Sequence, residues 1–278
     1  MIRRRRTPVG RFVAIAAVLV AIVLITQTTR DHRLETIAPG LEFGVVRGDP
    51  YCKRGSSVIA VLRIDPAHAE IRVRHYTLEA GREPPTIVNW LERTGALAVF
   101  NAGQYYPDYA YMGLLVSRGS VISARLHPQF KAALVAGRDD GSSFAHVLDL
   151  DEQGLDPAAP GWGEVAQSFM LFDGSGTIRI RKSNQIANRT VVGEDRAGRI
   201  VVLTTEGAYT LHDLAKVVRK LPFGITHAMS MDGGIEAQMC VRATDVLYAS
   251  FGHWEVGREP DATGARIPLP AVVTVSAR

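Results

Sequence analysis

Short apolar stretches closed by glycine, proline or aspartate recur along almost the whole chain, and no other feature narrows its fold more. VIAVLRI (58–64) and EIRVRHY (70–76) are joined by a turn-rich Asp-Pro-Ala-His link, and the second alternates apolar with polar residues, the period of a half-buried strand. ALAVF (96–100), GLLVS (113–117), KAALVA (131–136), FAHVLDL (144–150), SFMLF (168–172), TIRIR (177–181), RIVVLTT (199–205), HAMSM (227–231), AQMCVR (237–242) and AVVTVSA (271–277) continue the series. Helical signals are few. TIVNWLERT (86–94) lies between Pro85 and Gly95, and a second helix starts at Thr210, with Asp213 three residues on and Pro222 ending the run; both read as capped helices. Many strands with two or three helices predict an α+β class, a mixed, strand-rich sheet domain rather than a doubly wound fold.

The 278 residues can bury a full core, and 46% hydrophobic with 22% charged residues excludes a disordered or collagen-like chain. The net charge of +4 owes five charges to Arg3, Arg4, Arg5, Arg6 and Arg11, so residues 12–278 sum to 4 − 5 = −1. No basic face for phosphate backbones remains, and nucleic acid is excluded as a partner. Behind this basic arm (1–11), no charge appears from Phe12 to Thr29. A cleavable signal peptide would share that pattern, but it also needs a small-x-small site, and ITQTTRDHR supplies none. The expectation is therefore an uncleaved transmembrane anchor over 12–29, with a cleaved signal peptide as the alternative. The positive-inside rule then sets the N-terminus in the cytoplasm and the rest outside the cell membrane, in the periplasm. Residues 30–54 read as a stalk leading into one extracytoplasmic domain over 55–278. Cys52 and Cys240 would share that oxidising space and could bridge, or could be two buried small hydrophobes; neither lies in a Cys/His cluster, so no metal and no cofactor are expected.

Three polar clusters sit where apolar strands meet glycine or a small residue. Asn101-Ala102-Gly103-Gln104-Tyr105-Tyr106 follows the first; a buried strand running into Asn-x-Gly presents an amide and backbone donors, although Asn and Gly also simply make turns. Asn188-Arg189-Thr190 precedes VVGE, and an arginine there can fork onto phosphate or carboxylate, or pair at the surface. Met231-Asp232-Gly233-Gly234 follows HAMSM; the glycines let a ligand approach the backbone, while a lone DGG is also a tight turn.

Taken in order, these segments, with AQSFMLF (166–172) between the first and second, resemble the phosphodiester glycosidase family over roughly residues 55–278, especially its bacterial envelope members. Where members usually carry a hydroxyl residue after the DGG turn, this chain has Ile235, Glu236 and Ala237, and Phe169-Met170 replaces the usual Gly-Pro. The resemblance implies a membrane-anchored hydrolase that cleaves a sugar from a phosphodiester-linked glycan, with a carbohydrate or sugar phosphate as partner. Its catalytic residues would be Asp232 as nucleophile, base or electrostatic stabiliser and Arg189 against the phosphate, with Glu206 or Glu236 as second carboxylate. Asn101, Gly103, Thr190, Gly233, Gly234 and Glu236 would bind substrate. Asn101, Arg189 and Asp232 are expected to meet in one pocket. The alternative is a non-catalytic envelope protein that binds a glycan or polymer phosphate on the same fold.

Overall fold

In β3 (Val58–Ile64) alternate side chains point to opposite faces, and both faces are buried. Ala60, Leu62 and Ile64 enter one hydrophobic core while Ile59 and Val61 enter another, which is why the stretch reads as a continuous apolar run. The same division organises the whole domain, seen in a computed structural model that describes residues 33–79, 83–138, 144–243, 246–257 and 267–278. The basic arm and the expected anchor over 12–29 lie outside those residues.

The remaining strands are β1 (Glu35–Ala38), β2 (Leu41–Arg47), β4 (Ala69–His75), β5 (Ala98–Asn101), β6 (Leu114–Ser117), β7 (Ser120–Ala124), β8 (Ala132–Arg138), β9 (Ala145–Asp149), β10 (Trp162–Phe172), β11 (Arg189–Asp195), β12 (Ile200–Thr205), β13 (Ile225–Gly233), β14 (Met239–Ala243), β15 (Val246–Ser250) and β16 (Ala271–Ala277); the α-helices are α1 (Ile87–Thr94) and α2 (Leu211–Lys220). The larger sheet runs β1-β2-β3-β12-β11-β13-β10-β6-β7, with β8 and β9 branching from β10, and the smaller runs β15-β14-β5-β16-β4.

The principal core lies between the sheets, where Leu62, Val192 and Met229 of the larger meet Val73, Phe100 and Val273 of the smaller. On the outer side of the larger sheet α2 sets Leu214, Ala215 and Val218 against Val61, Val191 and Leu203. On the outer side of the smaller, α1 sets Trp90 and Leu91 against Val99, Cys240 and Val272. Both helices begin where the sequence places them: Thr86 and Thr210 accept N-cap bonds from the Asn89 and Asp213 backbone N–H groups, and Gly95 ends α1 in the left-handed region at φ 65°.

The expected α+β class with a mixed sheet is corrected. Among the described residues sixteen strands stand against two α-helices, and every strand pair is antiparallel. The helices cover a β-sandwich from outside instead of crossing between parallel neighbours. Among the described residues no helix is long and apolar enough to cross a membrane. Two smaller expectations also change. TIRIR forms a single bridge, Phe172 to Ile178, rather than a strand, because Arg179 is drawn to Asp149, Asp151 and Asp173. Cys52 and Cys240 are free thiols: Cys52 faces the Arg54 carbonyl at 3.2 Å, whereas Cys240 is buried between the smaller sheet and α1.

Candidate active site

The chain leaves the larger sheet at the end of β13 and joins the smaller at β14, through a 3-10 turn at Gly234–Glu236. Asp232-Gly233-Gly234 is this crossing. Because β11 and β13 are antiparallel, the first residue of β11 lies opposite the last of β13, and Arg189 pairs with Gly233. The end of β5 reaches the same point from the other sheet: the Asp232 backbone N–H donates to the Ala102 carbonyl at 3.1 Å. Asn101, Arg189, Thr190 and Asp232, far apart in sequence, therefore gather where the sheets meet.

Their environments differ. Asn101 is buried, and its amide donates to the carbonyls of Ala102 and Asp232 at 3.0 Å each. Its Oδ1 accepts from the Thr190 hydroxyl at 2.7 Å and the Gln238 N–H at 3.2 Å. The amide is thus committed on both sides, and Thr190 is fully buried. Asn101 and Thr190, expected to contact substrate, are thus bonded to each other and to the backbone of Asp232. Gly103, also expected to bind substrate, donates its N–H to the Tyr111 hydroxyl at 3.0 Å, and a Cβ there would overlap that oxygen.

Asp232 and Arg189 remain half-buried. Burial raises the Asp232 carboxyl to about 8, the neighbouring Glu236 and Glu255 charges push the same way, and the Gly233 N–H and Arg189 only partly oppose them. At neutral pH that shift favours the protonated carboxyl over the anion. Burial lowers Arg189 to about 10 against the pull of Asp232, and its guanidinium donates to the Tyr209 and Gln185 carbonyls at 3.3 and 3.1 Å. A side chain on Gly233 would press on that guanidinium, so glycine lets the arginine lie across the strand. Gly234, at φ 75°, is buried between Glu236 and Glu255.

Glu236 is hydrogen-bonded to Tyr105, whose hydroxyl burial and the charges of Glu236 and Asp232 keep protonated. Glu206 sits elsewhere: it accepts from Ser56 and Tyr248 at 3.1 Å each, and the carboxylates bearing most on Asp232 are Glu236 and Glu255. Between the two expected second carboxylates, the structure brings Glu236 to Asp232.

Sequence reading missed Tyr105 and Glu255. Glu255 arrives on a loop latched by Asn188, whose Oδ1 accepts from the His253 and Trp254 N–H groups at 2.8 and 2.7 Å; no local pattern marks that loop. Tyr105 was within reach, since it lies in the segment already singled out. Gln167 of β10 holds the chain that follows that segment, its Oε1 accepting from the Leu114 N–H and its Nε2 donating to the Phe130 carbonyl. Among the described residues no group of three or more His, Cys, Asp or Glu side chains could hold a metal ion.

A sandwich whose arginine and paired carboxyl groups meet at a strand end has the elements of a glycosidase-type site. The family model for phosphodiester glycosidase matches residues 94–275, spanning β5 through most of β16, and the chain belongs to that family. The fold is similar to the zebrafish N-acetylglucosamine-1-phosphodiester alpha-N-acetylglucosaminidase catalytic domain auto-inhibited by its pro-peptide, at 16% identity and a TM-score of 0.64, over 88% of this chain and 86% of that one. It is also similar to a hypothetical protein from Synechocystis, at 12% identity and a TM-score of 0.60, over 86% of this chain and 62% of that one. No curated protein sequence matches.

Proposed function

We propose that this protein hydrolyses the bond between a sugar and a phosphodiester, with Asp232, Glu236 and Arg189 as its working residues. The observation that carries the reading is the meeting of these three side chains at the β13–β14 crossing, where Glu236 raises and Arg189 lowers the Asp232 carboxyl.

Water attacks the anomeric carbon as the bond from that carbon to the phosphate oxygen breaks, and the phosphate leaves with the electron pair. Arg189 offsets the negative charge on the departing group. Asp232, held as the acid, gives its proton to the leaving oxygen, and Glu236 takes the proton of the attacking water. Tyr105 donates to Glu236 and fixes its direction. Asn101, through the Asp232 carbonyl, and Thr190, through Asn101, keep the acid in place. Positive charge developing on the sugar is met by Glu236 and Glu255.

The test is incubation of the purified protein with a panel of sugar-1-phosphodiesters. Release of free sugar by the wild type, lost in Asp232→Asn and in Glu236→Gln, supports the reading. Binding of the same compounds with no turnover by any form returns the non-catalytic alternative.

A further inference from the structure

Beside the catalytic crossing lies a cleft of about 680 Å³, within the range of ligand-binding pockets, roughly 300–1,000 Å³. Tyr76, Tyr106, Tyr109 and Tyr111 line it, with Asp108 and Arg125. It belongs to the segment after β5 that also carries Tyr105, and the rings form a row. Tyr76 and Tyr109 meet edge to face at 6.1 Å between centroids, and Tyr109 and Tyr105 at 6.1 Å. The row ends at the site, because Tyr105 is the residue that binds Glu236.

Tyr109 has φ 67°, a left-handed conformation that costs a bulky residue energy and persists where the surroundings enforce it. Here the enforcing bonds are local: the Tyr109 N–H donates to the Tyr106 carbonyl and the Tyr106 N–H to the Ala110 carbonyl, each at 2.8 Å. The strained turn holds the Tyr109 ring between Tyr105 and Tyr76. Arg125 donates to the Tyr106 hydroxyl at 3.1 Å, its guanidinium carbon 5.9 Å from that ring's centroid, so a cation borders the tyrosines in the cleft that Asp108 also lines.

We propose that this cleft is an extended carbohydrate subsite, binding the sugar units that precede the one cleaved, so that the substrate is an oligosaccharyl rather than a monosaccharyl phosphodiester. A sugar ring offers a face of C–H groups and a rim of hydroxyls; a tyrosine offers a flat apolar ring with a polar tip, and Asp108 and Arg125 add an acceptor and donors for the rim. Direction follows from the site. Arg189 marks the phosphate end, whereas Tyr105, hydrogen-bonded to Glu236, marks the sugar end, and the tyrosine row continues outward from Tyr105. This rests on the proposed function for its direction but not for the carbohydrate in the cleft.

Two measurements separate the claims. In the first, wild-type protein, Tyr76→Ala and Tyr109→Asn are applied to an array of oligosaccharides of two to six units; asparagine tolerates the left-handed backbone, so the second variant removes the ring and spares the turn. The wild type should bind at least one oligosaccharide more tightly than its constituent monosaccharide. Each variant, with a melting temperature near that of the wild type, should weaken that binding by about tenfold. In the second, hydrolysis of sugar-1-phosphodiesters is compared across chain lengths, and kcat/KM should rise from one unit to three. Absence of any bound oligosaccharide, or binding equal in wild type and both variants, overturns the subsite. Turnover of monosaccharyl phosphodiesters with no gain from longer chains also overturns it and leaves the proposed function standing. Tyrosine-dependent oligosaccharide binding without hydrolysis of any length upholds the carbohydrate site and overturns the hydrolase.

Discussion

The side-chain amide of Asn101 donates to the backbone carbonyl of Asp232 at 3.0 Å across 131 residues of chain, tying the last residue of β5 to the acid at the end of β13. One buried amide thereby couples the two sheets where the chemistry is proposed. Its other bonds, to Ala102, Thr190 and Gln238, leave it no freedom to turn. Asn101→Ala takes a partner from the buried Thr190 hydroxyl, the Gln238 N–H and the Asp232 carbonyl, while the Ala102 carbonyl keeps the Asp232 N–H, at ~1–3 kcal/mol for each group left unsatisfied. We expect a stability loss of roughly 3 kcal/mol in denaturant melts, with a fall in kcat/KM greater than that of Thr190→Ser.

Asp232 makes stability and activity oppose each other. Its folded pKa, raised to about 8 from 3.8, means that the folded state holds a proton the unfolded state has released, so stability contributed by this group falls as pH rises from about 4 to 8. Asp232→Asn removes that penalty, offset in part by loss of the Arg189 attraction. The variant should lose hydrolysis and melt at a higher temperature than the wild type, with a gap that widens between pH 5 and pH 8. A variant that melts lower throughout would contradict the acid assignment.

Glu194 anchors the opposite end of the larger sheet, meeting His146 Nδ1 at 3.1 Å and His227 Nε2 at 3.5 Å. Burial opposes its charge, but the histidine hydrogen bonds prevail and hold it down to about 2 from 4.5, while His227, whose ring burial alone would lower, is raised above 6.5 by Glu194. Glu194's contribution is present above about pH 4.5 and lost as pH falls towards 2. That of His227 is full below about 6.5 and lost as pH rises through its folded value. Glu194→Gln should therefore lower the melting temperature most between pH 4.5 and 6.5, and less at pH 9.

Gly103→Ala drives a methyl group into the Tyr111 hydroxyl, with the Gln167 carbonyl at 3.0 Å from the new carbon. Neither neighbour is a flexible chain end, so the loop carrying Tyr105 must move. Overpacking of this kind costs ~1–3 kcal/mol, and the expected result is a lower melting temperature with reduced hydrolysis. Unchanged values in both would show that the loop yields freely.

Legibility in the sequence followed burial. β3 and β12 read as strands because both faces are buried, and α1 and α2 because their caps are local threonine and glycine signals. β7 and β15 went unread because most of their residues face solvent, apolar ones such as Val121, Val246 and Leu247 included, so no in–out alternation marks them. TIRIR shows the converse, alternating like a strand although its arginine belongs to an acidic cluster. The strand-then-glycine rule located Asp232, Arg189 and Asn101, but not which of them face a ligand. That depends on partners such as Thr190 and Gln238, supplied by other strands. Glu206 and Glu236 both stand near a strand end, and only the antiparallel register chooses between them.

The most direct test of the central claim is hydrolysis of sugar-1-phosphodiesters in water enriched in oxygen-18, with both products weighed by mass spectrometry. Attack at the anomeric carbon puts the heavy oxygen in the released sugar and none in the phosphate, and Asp232→Asn should abolish that product. Heavy oxygen in the phosphate, or release of labelled sugar undiminished in Asp232→Asn, would contradict the account.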